Sequence, residues 1–106
     1  MPDIHRGSKD KTVRAIAKAL ERYEAQHPKA QIDLYRQNPA AVRVRIIDPD
    51  FAGIDWADRH DQVWEYFEDL AEEVQSDISL LLLLTPAETA TSFANVEFDN
   101  PVPSHL

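Results

Sequence analysis

Three residues within five positions have the side chains for a reaction centre: Trp56, Arg59 and His60. A histidine beside a cation and one turn from an indole could serve as a general base, and the arginine could clamp a carboxylate ligand. That combination defines a candidate pocket for a small ligand-binder or enzyme. Structural roles weigh more heavily. His60 can bond backbone at a helix start, and Arg59 can pair with Asp55 or with a loop carboxylate. A second grouping, Tyr35, Arg43 and Arg45, puts one aromatic and two cations on the same side of alternating strands, the side-chain mixture that contacts nucleic acid. The plainer reading of that trio is a solvated sheet face. A third, Asp61-Glu65-Asp69-Glu73, stacks acids at four-residue spacing, for docking a basic partner or for solubility.

What the chain lacks narrows the chemistry further. It has no cysteine, so disulfides, thiolate nucleophiles and cysteine metal sites are excluded. His5, His27, His60 and His105 fall in separate segments without metal-ligand spacing. No Ser-His-Asp grouping, phosphate-binding loop or dinucleotide fingerprint occurs. The expectation is a protein that is not an enzyme and needs no cofactor or metal.

Charge is divided unevenly. The total is -8, yet residues 1–50 carry 10 basic against 7 acidic side chains, while residues 51–106 carry only Arg59 against 12 acids. A polyanion is repelled by the second half, so nucleic-acid binding is disfavoured and confined to the first half. The longest apolar run, Leu80–Leu84, is far too short to span a membrane. The start of the chain has no apolar signal region, and with no cysteines the chain reads as cytoplasmic.

The elements that must position these residues follow from periodicity. Residues 1–9 have none and read as a flexible arm. Val13, Ile16, Ala17, Leu20 and Tyr23 share one helical face between an Asp10 N-cap and Pro28. Two alternating strands follow, 30–37 and 42–47, joined by Asn38-Pro39-Ala40-Ala41 as a hairpin. A helix capped by Asp55 runs to Val74, with Trp56, His60, Val63, Phe67, Leu70 and Val74 as its inner stripe. Ile78–Leu84 is an apolar third strand, and Thr85-Pro86-Ala87-Glu88 starts a short helix.

The expected fold is α+β, in the order αββαβα with the second helix open to a break near Gly53. A three-stranded mixed sheet would carry its helices on one face. Residues 10–92 form the single domain, and residues 93–106 a flexible or docking tail carrying Phe93, Val96 and Phe98. The sheet face left open, expected to carry Leu81 and Leu83, needs a lid, either that tail or a second copy.

This order, together with Phe51, Gly53, Arg59 and His60 in an F-x-G-x-x-x-x-x-R-H arrangement, resembles the BolA-like family, whose fold is related to class II KH domains. Val63 and Trp64 after the motif, and Leu84-Thr85-Pro86-Ala87-Glu88 leaving the last strand, extend the resemblance over roughly residues 12–90. It implies an interaction or regulatory module working with a protein partner or as a homodimer, with Phe51, Gly53, Arg59 and His60 as family-motif positions that can contact the partner. Members that share an iron–sulphur cluster with monothiol glutaredoxins use a histidine near the start of the last strand and a Cys or His in a long first hairpin loop. Here Asp77 or Ile78 occupies the first position, and the loop is short and ligand-free. The chain is similar to a divergent member that has lost cluster sharing. It also lacks the G-x-x-G loop with which KH domains grip RNA.

Overall fold

The computed structural model describes residues 2–4, 7 and 9–100. Its elements are β1 (Asp3–Ile4), α1 (Lys11–Gln26), β2 (Gln31–Asn38), β3 (Ala41–Ile47), α2 (Trp56–Trp64), α3 (Glu72–Asp77), β4 (Ile78–Leu84) and α4 (Phe93–Asp99), with short 3₁₀ turns between several of them. Helix α1 begins where expected, because the Asp10 carboxylate accepts the Val13 N–H at 3.0 Å. It ends at Gln26, with His27, the residue before Pro28, as its C-cap.

The sheet has four strands in the order β1-β2-β3-β4, one more than the sequence implies. The extra strand is only two residues long: Asp3 and Ile4 pair parallel to Asp33 and Leu34, inside the segment expected to be a loose arm. Two residues are too few for periodicity to register. The β2–β3 hairpin is antiparallel and centred on the Leu34–Val44 pair, and β4 runs parallel to β3 from Val42–Ile78 to Ile47–Leu84. Between the first two rungs of that ladder β4 advances two residues for one of β3, so Ser79 forms a bulge.

The crossover from β3 to β4 is not one helix. α2 stops at Trp64, a 3₁₀ turn covers Glu65–Phe67, and α3 restarts at Glu72. The stacked acids Asp61, Glu65, Asp69 and Glu73 would repel one another along an unbroken helix, which favours an interruption here. Carbonyls freed by the break are recovered by one side chain. Gln75 Nε2 donates to Phe67, Leu70 and Glu68 at 2.8, 3.1 and 3.3 Å.

Two apolar clusters lie on opposite faces of the sheet. The larger joins α1 (Val13, Ile16, Leu20, Tyr23) to Val44, Ile46, Phe51, Val63, Phe67 and Leu83. The smaller consists of Tyr35, Leu82, Leu84 and Phe98, with Leu80 and Ala94 against it. Helices therefore cover both faces rather than one. The docking tail is α4, whose Phe98 is fully buried, and the side it closes carries Leu82 and Leu84, not Leu81 and Leu83. Strand parity fixes that choice, since Leu83 belongs to the larger cluster. The part of the tail at residues 101–106 lies outside the described residues.

Candidate interaction site

The motif segment is built around Arg59. Asp48 ends β3 and accepts the Asp50 N–H at 2.9 Å, which starts a 3₁₀ turn over Pro49–Phe51. Gly53 then takes φ 79, in the left-handed region. A Cβ there would meet nothing within 4 Å, so the backbone angle and not crowding asks for glycine. Asp55 caps α2 by accepting the Asp58 N–H at 2.9 Å. One turn in, Arg59 points back toward the sheet and is 5% exposed.

Every face of that guanidinium is used. Nε donates to the Ile54 carbonyl at 2.8 Å and Nη1 to the Leu83 carbonyl at 3.1 Å. Glu88 receives both terminal nitrogens, at 2.7 and 3.3 Å. The cation also lies over the Phe51 and Trp56 rings, 5.5 and 4.7 Å from their centroids. Glu88 also completes a capping box: its carboxylate accepts the Thr85 N–H at 2.7 Å, and its own N–H reaches Thr85 Oγ1 at 3.3 Å. The Arg59 guanidinium, helped by the Thr85 N–H, holds the Glu88 carboxyl below its ordinary range.

Of the motif residues, Phe51 and Arg59 are buried, and Gly53 sets the exposed turn between them. Arg59 pairs with a loop carboxylate, Glu88, and not with Asp55, whose side chain caps the helix. His60 and Trp56 do not lie on the inner stripe where periodicity puts them. His60 is exposed and stacks on Trp64, with centroids 5.6 Å apart and planes at 9°, and Trp56 is 57% exposed. The inward position belongs to Arg59, an amphipathic side chain that hydropathy counts as polar. Three grooves of about 380, 480 and 590 Å³ lie elsewhere, two along α1 and one between the hairpin and α4, and none is lined by Trp56, Arg59 or His60.

Tyr35, Arg43 and Arg45 do come together, but not as a solvated patch. α4 lies over them. Arg45 is 5% exposed, bonded to its cross-strand neighbour Asp33 at 2.8 Å, to Asp99 and Asn95 at 2.9 Å, and stacked 4.5 Å from the Phe98 ring. Arg43 Nη1 donates to Glu97 at 2.6 Å and to the Tyr35 hydroxyl at 3.2 Å. Tyr35 is buried, edge-on to Phe98 at 4.9 Å. Three carboxylates, Asp33, Glu97 and Asp99, thus pair with the two arginines.

The two residues at the start of the last strand are also committed. Arg36 bridges the Asp10 and Asp77 carboxylates, the latter at 3.1 Å, while Ile78 pairs with Val42 and packs on the core. The same bridge keeps the Asp10 carboxyl below its ordinary range.

One cluster joins the end of α1 to the end of β3, two segments far apart in sequence. Tyr23 donates to Asp48 at 2.7 Å, and His27 Nδ1 lies 3.0 Å from Asp50 and 3.3 Å from Asp48. The Tyr23 and His27 rings stack at 4.2 Å. Burial, and then the Asp48 carboxylate, push the Tyr23 hydroxyl well above its ordinary pKa. The donor atoms of His27, Asp48 and Asp50 fall within 4.8 Å of one another, close enough to share a divalent cation. The imidazole already spans both carboxylates, so the cluster is accounted for as a lock between the end of α1 and the end of β3. The sequence signals were Tyr23 and His27 one helical turn apart and the Asp48-Pro49-Asp50 strand stop.

Parallel β1–β2 and β3–β4 pairs around an antiparallel hairpin, with α1 to α3 on one face, make this a BolA-like fold. Among solved structures the chain is similar to BolA1 from Arabidopsis thaliana, with a TM-score of 0.51 and 16% identity over 74% of this chain and 96% of that one. No protein-family model matches the chain, and no curated protein matches it in sequence. Among the described residues no helix is long and apolar enough to cross a membrane.

Proposed function

We propose that this chain is a non-enzymatic interaction domain of BolA-like type, acting with a protein partner or a second copy, and that it does not share an iron–sulphur cluster. The fold supports the first part. The second rests on the resemblance, which sets Asp77 or Ile78 where cluster-sharing BolA-like proteins carry a histidine: Asp77 is tied to Arg36, and Ile78 pairs with Val42 in the ladder. Isoleucine has no donor atom, and an aspartate held by a guanidinium is a poor exchange for imidazole at a thiolate-rich cluster. The hairpin loop Asn38–Ala41 supplies no Cys or His either. Arg59, the residue best suited to bind a carboxylate substrate, is saturated by internal acceptors, which supports a role other than catalysis.

The test is anaerobic cluster reconstitution on a monothiol glutaredoxin, with and without this chain. The glutaredoxin's absorption and circular dichroism should be unchanged by its presence. A new, stable mixed-cluster spectrum that comigrates with both proteins would refute the proposal.

A further inference from the structure

Helix α2 carries a row of rings that the core does not absorb. Trp56, His60 and Trp64 stand at successive four-residue steps, so they line one side of the helix. Trp56 is 57% exposed even though Arg59 lies over its ring at 4.7 Å, so what is exposed is the rest of the indole. Next comes exposed His60, stacked on Trp64 at 5.6 Å, and Trp64 meets buried Phe67 edge-on at 5.5 Å and 83°. The row is therefore backed at one end by a saturated cation and at the other by the core. Rigid, exposed tryptophan backed by arginine is the composition in which binding energy concentrates at interfaces.

Its charge setting selects the occupant. At about 100° per residue, Asp61 lies on the solvent side of the row within α2, Glu65 and Glu68 follow in the turn beyond Trp64, and all three are exposed. The only cation in residues 51–106 is Arg59, which is buried, and Arg22, which reaches the following turn from α1, is held there by the Tyr66 carbonyl and the Asp69 carboxylate. A polyanion is repelled here, and an uncharged partner leaves carboxylates uncompensated at its rim. We propose that the Trp56–His60–Trp64 row, with the carboxylates of Asp61, Glu65 and Glu68 beside it, docks a Lys/Arg-rich segment of a protein partner. This rests on the interaction-domain function above, and it adds the surface and the partner's charge. An incoming cation would meet the open indole face and the neighbouring carboxylates together.

Trp56 and Trp64 are the chain's two tryptophans, so the row reports on itself. The experiment titrates the full chain, and its Trp64→Phe form, with an oligoarginine peptide while following tryptophan emission. A saturable change in Trp56 emission is expected, weakening roughly tenfold between low and physiological ionic strength. By calorimetry, Trp56→Ala should weaken binding roughly thirtyfold, with circular dichroism unchanged. Asp61→Asn combined with Glu65→Gln should weaken it several-fold, and an oligoglutamate peptide should give no response.

Absence of saturable binding at low salt would overturn the proposal. So would binding that survives Trp56→Ala, an equal response to the acidic peptide, or self-association that occupies Trp56 without peptide. A pull-down separates this failure from that of the parent reading. A partner retained equally by the Trp56→Ala chain removes this surface and leaves the interaction domain standing. Intact peptide binding with no partner captured by either chain removes the interaction domain instead.

Discussion

Arg59 of α2 and Glu88 of the turn after β4 meet at 2.7 Å, and the same guanidinium nitrogen donates to the Leu83 carbonyl at 3.1 Å. Leu84, one residue on, turns its carbonyl the other way, toward the Asp48 N–H at the end of β3. Carbonyls alternate sides along a strand, so the Leu83 carbonyl points to the free edge of the sheet while the side chain stays in the core. One arginine thereby ties α2 to the outer rim of the last strand and to the turn that leaves it.

Arg59→Ala should destabilise the domain by about 3 kcal/mol, because it strands a buried carbonyl and breaks a pair that is mostly desolvated on the arginine side. Arg59→Lys should recover little, since an ammonium cannot reach Ile54, Leu83 and Glu88 at once with a planar fork. Urea midpoints at neutral pH check both. A shift under about 0.5 kcal/mol for the alanine form, typical of a surface position, would contradict the assignment.

Acid stability has a definite sign. Glu88 and Asp10 are held below their ordinary values of 4.5 and 3.8, so the unfolded chain binds protons more readily than the folded one. Their contribution is fully present above those values and is lost as pH falls below them through the lower, folded pKa values. Glu88→Gln should flatten the fall in stability that begins near pH 4.5, and Asp10→Asn the part that begins near pH 3.8. Both groups are about one-third exposed, so each effect is modest. Denaturant midpoints measured across this range decide it, and profiles parallel to the parent chain would count against both pairs.

On the opposite face, Arg45→Ala should be more damaging than Arg43→Ala. It leaves Asp33, whose side chain is 3% exposed, without its cross-strand cation, at a cost of about 3–5 kcal/mol. Phe98→Ala should cost about 3 kcal/mol through the cavity it opens beside Tyr35. Truncation after residue 92 should uncover Tyr35, Leu82 and Leu84 and show as binding of a hydrophobic dye with near-native far-ultraviolet dichroism. A truncated chain with parental stability and no dye binding would mean that α4 is not a structural lid.

Gly53→Ala should cost about 1 kcal/mol although nothing lies within 4 Å of the added methyl, because the cost arises from φ 79 alone. Gly53→Asn should cost less, since asparagine tolerates that region better. The ranking is read from thermal midpoints.

The helix–strand order, the hairpin and the parallel β3–β4 pairing were legible because each rests on a period of several residues or on a strong stop such as Asp48-Pro49. The two-residue β1 and the break after Trp64 were not: one is too short to carry a pattern, and the other depends on repulsion between stacked acids and on Gln75 reaching back to three carbonyls. The candidate site divided for a related reason. Hydropathy counts His60 and Trp56 as more apolar than Arg59, so it turns them inward, whereas the structure buries the arginine, whose hydrogen bonds are all met by residues distant in sequence or by carbonyls. Tyr35, Arg43 and Arg45 share one sheet face, as strand alternation implies. That Glu97 and Asp99 would fold back onto them requires knowing that Phe93–Asp99 is a helix, and seven residues with loose alternation do not announce one.

The bulge at Ser79 and the Arg59 contact at Leu83 sit at either end of a strand of five consecutive leucines. Such a border, left straight and bare, is a template on which further chains can add rung by rung into fibrils. Kinked at one end and plugged by a guanidinium at the other, it offers an incoming chain little more than Leu81 to grip. The arginine that organises the motif therefore also occupies a rung that would otherwise stand open on that border.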